Sequence, residues 1–277
     1  MVQIITDSSP LYTPAEANAA GFEAVPLCVC IGDGQERDLL LDMKEYYEKI
    51  NRGQIPTTSQ PPLGDVLEAF ENHKDSEIIN ISMADGLSGT YQTACGAREM
   101  TDHKEQIHVF NSKTLCGPHR HMVETAQKMK ESGSTAQEIL AWLKDAADDS
   151  ESFLIPQDFS FLKRGGRLTP LAAATGSVLK LKPIMKLTKD GKRLDKFGVK
   201  RTMVSAAQSI IEYLKDRHLG SGHILYISHG NAPQDAQKIK AQFQQTFPDL
   251  EVRILELSAA FVAQGGPRCV AIQYIRR

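Results

Sequence analysis

The pattern that decides the fold is clearest in residues 77–100, which read EIINISMADGLSGTYQTACGAREM. Glu77 to Met83 is an apolar run of strand length, and a helix is predicted to follow through about Met100. The segment between them is rich in Gly, Ser and Asp, which is typical of a loop that joins a strand to a helix. This strand–loop–helix unit is the building block of α/β proteins.

Similar units lie on both sides of this one. Upstream, strands are predicted at 2–5 and 24–31, and downstream at 107–110. In the segment 63–70 the apolar residues fall at i, i+3, i+4 and i+7, so we expect a helix with one buried face. Four such passages in roughly 150 residues predict a mostly parallel sheet with helices on both faces.

The pattern changes in the second half of the chain. Two apolar runs between Lys182 and Val199 flank the pair Asp190-Gly191, which is a strong signal for a β-hairpin. A helix, a strand, a helix and two further strands follow. We therefore predict an α/β protein of two domains: an N-terminal domain over residues 1–158, and a smaller C-terminal α/β domain with antiparallel pairing over residues 159–277.

Composition excludes several classes of protein. The 277 residues include 32 Lys and Arg against 34 Asp and Glu, so the net charge of −2 argues against a protein that coats nucleic acid. No apolar run approaches the ~20 residues that span a bilayer, so we expect no stable membrane insertion. The first residues show no basic secretory signal, and five scattered cysteines cannot all pair, so we expect a cytoplasmic protein.

Three loops in the first half are rich in hydroxyl groups. They are Thr6-Asp7-Ser8-Ser9, Thr57-Thr58-Ser59-Gln60 and Ser88-Gly89-Thr90, and each precedes or opens a predicted helix. The first amides of a helix lack an internal acceptor and carry a partial positive charge, so hydroxyls beside them favour oxyanion binding. Ser, Thr and Asp also cap most helix starts, so capping alone is the structural alternative.

An enzyme is the alternative functional hypothesis. The frame around Ser88, Gly-Leu-Ser-Gly-Thr, approaches the G-x-S-x-G nucleophile motif but ends in Thr, and no local spacing supplies His229 as its base. Asp7 follows the first strand, as an aspartyl-phosphate nucleophile would, without a nearby magnesium-binding pair. A small hydrolase or phosphotransferase centred on Ser88 or Asp7 therefore stays open, although we predict a non-catalytic protein.

Neither a metal nor a cofactor is predicted. Cys28 and Cys30 share one face of a strand, and His119 and His121 lie two residues apart, but neither pair has a partner at zinc-site spacing. Buried thiols and ordinary histidines are the simpler interpretation.

One basic cluster stands out. Lys163, Arg164 and Arg167 surround a glycine pair that ends a short predicted helix. Such a cluster is either a solvated face or a docking surface for an acidic or phosphate-bearing partner.

Several segments together carry a resemblance to a known family. They are T-D-S-S at 6–9, P-T-T-S-Q-P at 56–61, L-S-G-T-Y-Q at 87–92, L-K-R-G-G-R at 162–167, L-K-P-I at 181–184 and V-K-R-T at 199–202. In this order, and over nearly the whole chain, they resemble the DegV family of bacterial fatty-acid-binding proteins.

The resemblance implies a function. It implies a two-domain α/β protein that binds one long-chain fatty acid in a tunnel between its domains. It also implies an acyl carrier for a separate fatty acid kinase subunit, which phosphorylates the carboxylate with ATP and magnesium. The carrier then delivers acyl-phosphate to phospholipid synthesis. A binding protein for some other amphiphile is a further alternative.

The resemblance also assigns residues. It makes Thr58 and Ser88 the hydroxyls that contact the fatty-acid carboxylate, with Ser59 and Gly89 as neighbours of the head group. Its C-terminal H-x-G-P-G motif reads Gln-Gly-Gly-Pro-Arg here, which places Gln264 where the family has His and Arg268 where it has Gly.

Gln264 still hydrogen-bonds but does not titrate, and Arg268 is a possible further neighbour of the head group. For partner docking, the resemblance points to Arg201 together with the cluster of Lys163, Arg164 and Arg167.

Overall fold

A computed structural model describes residues 2–174 and 181–277 of the chain. The β-strands within these residues are β1 Val2–Asp7, β2 Glu23–Val25, β3 Cys28–Ile31, β4 Gly34–Arg37, β5 Thr57–Ser59, β6 Glu77–Ser82, β7 Ile107–Asn111, β8 Ser150–Ile155, β9 Lys182–Leu187, β10 Leu194–Lys200, β11 His223–His229, β12 Glu251–Glu256 and β13 Val270–Arg276. The α-helices are α1 Pro14–Ala19, α2 Met43–Asn51, α3 Leu63–Glu71, α4 Thr90–Glu99, α5 Cys116–Glu131, α6 Ala136–Asp148, α7 Phe159–Gly165, α8 Pro170–Ala173, α9 Met203–Lys215, α10 Pro233–Thr246 and α11 Ala259–Gly265.

The main sheet of the first half is parallel, as predicted. Its strand order is β2-β1-β6-β7, and all three strand pairs are parallel. Helices α3 and α4 pack on the face that carries the fully buried Ile5 and Ile78. Helix α5 lies on the other face, because its His119 contacts Thr6, whose side chain points away from that of Ile5. The predicted α/β fold with helices on both faces is confirmed.

A small antiparallel sheet, in the order β4-β3-β5, is added to the first half. The sequence predicted one strand from Ala24 to Ile31, but the strand breaks at Pro26, which has no N–H to donate to a ladder. The polar segment Thr57–Ser59 was predicted as a loop and is instead a strand, paired with Cys28, Val29 and Cys30. Pairing to an existing edge overrides its polar composition.

The second half forms a mixed sheet in the order β10-β9-β8-β13-β11-β12. Strands β9 and β10 form the antiparallel hairpin that the Asp-Gly pair predicted, and β11 and β12 pair in parallel. Helices α9 and α10 cover one face over a core that includes Ile210, Ile211 and Phe243. The predicted α/β domain with antiparallel pairing is confirmed.

The structure divides earlier in the chain than the sequence suggested. The two compact units are Met1–Asp148 and Asp149–Arg277, whereas the sequence placed the boundary between residues 158 and 159. The difference comes from strand β8, which follows helix α6 as if it continued the first sheet. It pairs instead with β13 and β9 of the second sheet.

Helix ends follow local sequence signals. Asp42 caps α2 by accepting the N–H groups of Lys44 and Glu45, and Thr202 caps α9 in a reciprocal pair with Ser205. The short helices α1, α8 and α11 were not predicted. Among residues 2–174 and 181–277, the helices include none with both the length and the apolar composition needed to cross a bilayer.

Candidate functional site

The first hydroxyl loop, Thr6–Ser9, is buried inside the first unit. Its four side chains are at most 3% exposed. Ser8 Oγ donates to Asp38 Oδ2 at 2.8 Å and accepts the N–H of Leu27 at 3.2 Å. These contacts fasten the end of β1 to neighbouring segments, so this loop has a structural role.

A buried histidine completes this network. His119 Nε2 lies 3.0 Å from the carbonyl oxygen of Ile81, so it carries the proton and donates it. Its Nδ1 is then an acceptor, and Ser9 Oγ donates to it at 2.6 Å. Burial lowers the pKa of His119 to about 3, so the ring is neutral near pH 7. This Ser–His pair has no exposed surface, which separates it from any substrate.

Asp7 is the acid of the same loop. Its two carboxyl oxygens accept the N–H groups of Ser9 at 2.7 Å and Met83 at 2.8 Å. Burial raises its pKa to about 7, and the backbone hydrogen bonds offset only part of that effect. The Asp7 carboxyl group is 3% exposed, and both of its oxygens stabilise the backbone of neighbouring segments.

The Ser88 loop is built differently. Ser88 is half-buried and lies just before α4, whose N-cap is Gly89. Its Oγ lies 2.8 Å from Thr90 Oγ1 and accepts the N–H of Thr90 at 3.3 Å. Each of the two hydroxyls carries one proton. One of these protons forms the hydrogen bond between Ser88 and Thr90, which leaves the other to donate to a ligand.

The segment of Thr58 adjoins this helix start. Thr58 is half-buried on β5, opposite Val29 of β3, while its neighbours Thr57 and Ser59 are exposed. The side chain of Gln60 lies against Gly89: a Cβ built there would lie 3.3 Å from Gln60 Cδ. The structure therefore brings the second and third hydroxyl loops together.

This arrangement suits binding better than hydrolysis. The hydrogen bonds of Ser88 Oγ within the described residues go to Thr90, and none of them goes to a histidine. The first amides of α4 and the spare hydroxyl proton are neutral donors for an oxyanion. The sequence places Gln60 and Thr90 in two of the hydroxyl-rich loops but assigns neither of them to the head group. Their contacts with Gly89 and Ser88 give them a part in this arrangement.

Gln264 lies in the second unit, near the end of α11. Its Oε1 packs directly over Gly165 of α7, at the place where a side chain on that glycine would stand. A Cβ on Gly165 would also lie 3.9 Å from Arg167 Cδ. Gln264, predicted for the head group, and Arg167, predicted for partner docking, therefore both lie close to Gly165.

Arg268 has a local partner. Its guanidinium lies 3.4 Å from Asp235 Oδ2 near the start of α10, and its side chain is 67% exposed. Its backbone has φ 61°, in the left-handed region that favours glycine. The conformation agrees with the glycine that the resemblance expects at this position. In this structure the guanidinium is engaged with Asp235.

The basic cluster forms at the end of α7. Lys163 and Arg164 are exposed, and Arg164 lies 4.6 Å from the ring centroid of Phe161. Arg193, which the sequence did not suggest, joins them: it donates to the carbonyl oxygen of Gly166 at 2.9 Å. Burial, together with the charge of Arg193, lowers the pKa of Arg167. Arg201 is exposed just before α9.

The two candidate cysteine and histidine pairs do not form a metal centre. Cys28 and Cys30 are both on β3, His119 is fully buried, and none of the five cysteines forms a disulfide. Residues 2–174 and 181–277 contain no group of three or more His, Cys, Asp or Glu that is arranged to hold a metal ion.

Comparison with known proteins identifies the family. A sequence profile described as "Uncharacterised protein, DegV family" matches residues 1–277, the full length of the chain. The chain belongs to the DegV family. The resemblance carried by the six sequence motifs is thereby confirmed.

DegV relatives match both sequence and fold. "Protein DegV" of Bacillus subtilis is 30% identical over 257 residues, which cover 90% of each chain. The crystal structure of "DegV, a fatty acid binding protein from Bacillus subtilis" has a TM-score of 0.86 and 27% identity, covering 100% of this chain and 99% of its own.

A DegV protein from Thermus thermophilus, whose structure is described as "Fatty Acid Binding of a DegV family Protein", has a TM-score of 0.90. It covers 100% of this chain and 99% of its own, and at 23% identity it shows that the fold is shared.

Proposed function

We propose that this chain binds a long-chain fatty acid whose head group lies at Thr58 and Ser88. The observation that carries the proposal is the hydroxyl pair of Ser88 and Thr90 at the start of α4, 2.8 Å apart, with Gln60 of the Thr58 segment lying against Gly89. The 27% identical structure described as a fatty acid binding DegV from Bacillus subtilis supports the choice of ligand.

The free energy of such binding comes mainly from the tail. Each buried methylene contributes ~0.8 kcal/mol, so a tail of about fifteen methylenes gives roughly 12 kcal/mol before the cost of association. Submicromolar affinity is therefore within reach of a tunnel that encloses the tail.

The head group needs hydrogen-bond donors. A carboxylate removed from water without partners costs several kcal/mol. The Ser88 and Thr58 hydroxyls and the first amides of α4 supply neutral donors for it. Such donors hold a carboxylate or an acyl-phosphate without adding a cation that would retain the more charged product.

We further propose that the chain is an acyl carrier in the bacterial cytoplasm. In this role it presents the bound carboxylate to a separate fatty acid kinase subunit and carries acyl-phosphate to phospholipid synthesis. None of the five cysteines forms a disulfide, which fits a reducing compartment.

The basic cluster supports a protein partner for this carrier. Lys163, Arg164, Arg167 and Arg193 lie together at the end of α7, with Arg201 exposed before α9 in the same unit. This concentration of positive charge fits an acidic docking surface on the partner. Gln264 packs over Gly165, which lies between Arg164 and Arg167 in the chain, so a residue proposed for the head group is close to the docking cluster.

Native mass spectrometry of the protein purified from cells tests the ligand. We expect one adduct per polypeptide, with the mass of a long-chain fatty acid, and the same acid in a solvent extract. The Thr58→Val plus Ser88→Ala variant, purified in parallel, should carry less of it. A protein that is purified without a bound lipid, and that binds none when fatty acid is added, would contradict the proposal.

A further inference from the structure

A carboxylate stands beside the start of α4. Asp85 follows strand β6, and its backbone N–H donates to Asn111 Oδ1 at 3.3 Å. Its Oδ1 accepts the side-chain N–H of Gln92 at 3.0 Å. Gln92 is the third residue of α4, so this hydrogen bond holds the Asp85 carboxylate at the first turn of the helix.

The surroundings leave the charge of Asp85 uncompensated. Among residues 2–174 and 181–277, no Lys or Arg nitrogen lies within 4.0 Å of its carboxylate: Arg98 of the same helix pairs with Glu99, and Lys113 pairs with Asp148. Tyr91 shares this turn, and burial, its hydrogen bond to Cys95 and the negative charge of Asp85 together raise its pKa. The negative charge of Asp85 is thus one of the causes that raise the pKa of Tyr91, the second residue of α4.

The position of Asp85 affects anion binding because the positive potential at the start of a helix is limited. The aligned peptide dipoles of α4 amount to roughly half a positive charge at its N-terminus. The hydrogen bond from Gln92 places the full negative charge of Asp85 beside this partial positive charge. A ligand carboxylate at Ser88 and Thr90 is attracted by the amides of α4 and repelled by Asp85. An uncharged head group uses the same hydroxyls without this repulsion, since a hydroxyl both donates and accepts.

We propose that Asp85 determines the head-group selectivity of the site. It weakens the binding of an ionised carboxylate relative to an uncharged hydroxylic head, such as that of a long-chain alcohol with the same tail. This inference rests on the proposed function, because it places the head group at Ser88.

The test compares two ligands that differ only in the head. The dissociation constants of cis-9-octadecenoic acid and cis-9-octadecen-1-ol are measured at about pH 8 for the wild-type chain and for Asp85→Asn. Asn keeps an oxygen for Gln92 and removes the charge. We expect the acid to bind about fivefold more tightly to the variant, and the alcohol to change less than about twofold.

Asp145→Asn is the matched control, because Asp145 is an exposed acid on α6 of the same unit. Both ligands should bind this control as they bind the wild type. Asp85→Ser is a second uncharged variant, measured should Asp85→Asn fail to fold, and it should behave in the same way.

Three results overturn the inference. If Asp85→Asn leaves the ratio of acid to alcohol affinity unchanged, or if Asp145→Asn shifts that ratio equally, Asp85 does not set selectivity while the proposed function stands. If neither ligand binds any variant or the wild type, the proposed function fails and this inference fails with it.

Discussion

The loops Thr6–Ser9 and Ser88–Thr90 contain the same kinds of side chain at the same edge of one parallel sheet, yet their environments differ. In the first loop every side chain is at most 3% exposed, and its hydroxyls and carboxyl bond to other parts of the unit. In the second loop Ser88 is half-buried and bonds to its own neighbour Thr90.

The difference shows that residue type alone does not make a binding loop. A hydroxyl that satisfies a buried acceptor stabilises the fold, because removing it leaves that acceptor unpaired. A hydroxyl at the surface of a helix start, bonded only locally, has a proton left for a ligand. Substitutions in the two loops should therefore separate loss of stability from loss of binding.

The largest difference in the free energy of unfolding is expected between Ser8→Ala and Ser88→Ala, although both variants lose the same hydroxyl group. Ser8→Ala leaves the buried Asp38 oxygen without its 2.8 Å donor and the N–H of Leu27 without its acceptor. We expect a loss of about 3 kcal/mol in the free energy of unfolding, against about 0.5 kcal/mol for Ser88→Ala. Urea unfolding measures both.

Equal losses in the two variants would contradict the structural role of the first loop. The slope of unfolding free energy against urea concentration should be the same for both. A change in this slope would indicate an altered unfolded state rather than a lost contact.

The pH dependence of folding stability tests the burial of the first loop. Burial raises the pKa of Asp7 from 3.8 to about 7, so between these values the folded chain holds a proton that the unfolded chain has lost. The free energy of unfolding then falls with rising pH, by about 1.4 kcal/mol per pH unit. His119 acts in the opposite direction, because burial lowers its pKa from 6.5 to about 3.

Asp7→Asn removes only the first of these contributions. Between about pH 4.5 and about pH 6, the stability of the variant should rise relative to wild type by about 2 kcal/mol. Denaturant unfolding of both proteins at each pH gives this difference, in which the other titrating groups cancel. A difference in stability that stays constant over this pH range would show that the amides of Ser9 and Met83 keep Asp7 ionised in the folded chain.

A smaller effect is expected in the second unit, at Arg268. Its φ of 61° is strained for any residue with a side chain, and its exposed ion pair with Asp235 contributes little. Arg268→Gly should raise the free energy of unfolding by about 0.5 kcal/mol, since relief of strain exceeds the added freedom of the unfolded chain. Fatty-acid affinity should not change.

Arg268→Ala is the control for this change, since it removes the guanidinium and keeps the Cβ. It should show no gain in thermal or urea stability. A loss of fatty-acid affinity in both variants would instead place Arg268 at the head group.

Much of the fold followed from the sequence because the signals were local. The hairpin at Asp190-Gly191, the cap at Asp42 and the strand 77–82 all depend on neighbouring residues. The sheet to which a strand belongs is not local information. Strand β8 follows α6 in the chain but pairs with β13, more than a hundred residues later, so the domain boundary was displaced.

The candidate site was predicted in part for the same reason. The motifs gave Thr58 and Ser88, but they did not distinguish the buried loop at Thr6 from the half-buried loop at Ser88. That distinction depends on His119, which is distant in sequence. Likewise, Arg193 joins the basic cluster only because β10 pairs beside the chain that leaves α7, where the N–H of Leu194 donates to the carbonyl oxygen of Arg167.

The proposed head-group site is tested most directly by the affinity of the Thr58→Val plus Ser88→Ala variant for cis-9-octadecenoic acid, determined by calorimetric titration. Thr57→Val plus Ser132→Ala makes the same chemical changes at exposed positions and is the matched control. We expect the first variant to keep its folding stability within about 1 kcal/mol and to bind the acid at least about tenfold more weakly, while the control binds it as the wild type does. Wild-type affinity in the first variant, or an equal loss in the control, would show that Thr58 and Ser88 do not hold the head group.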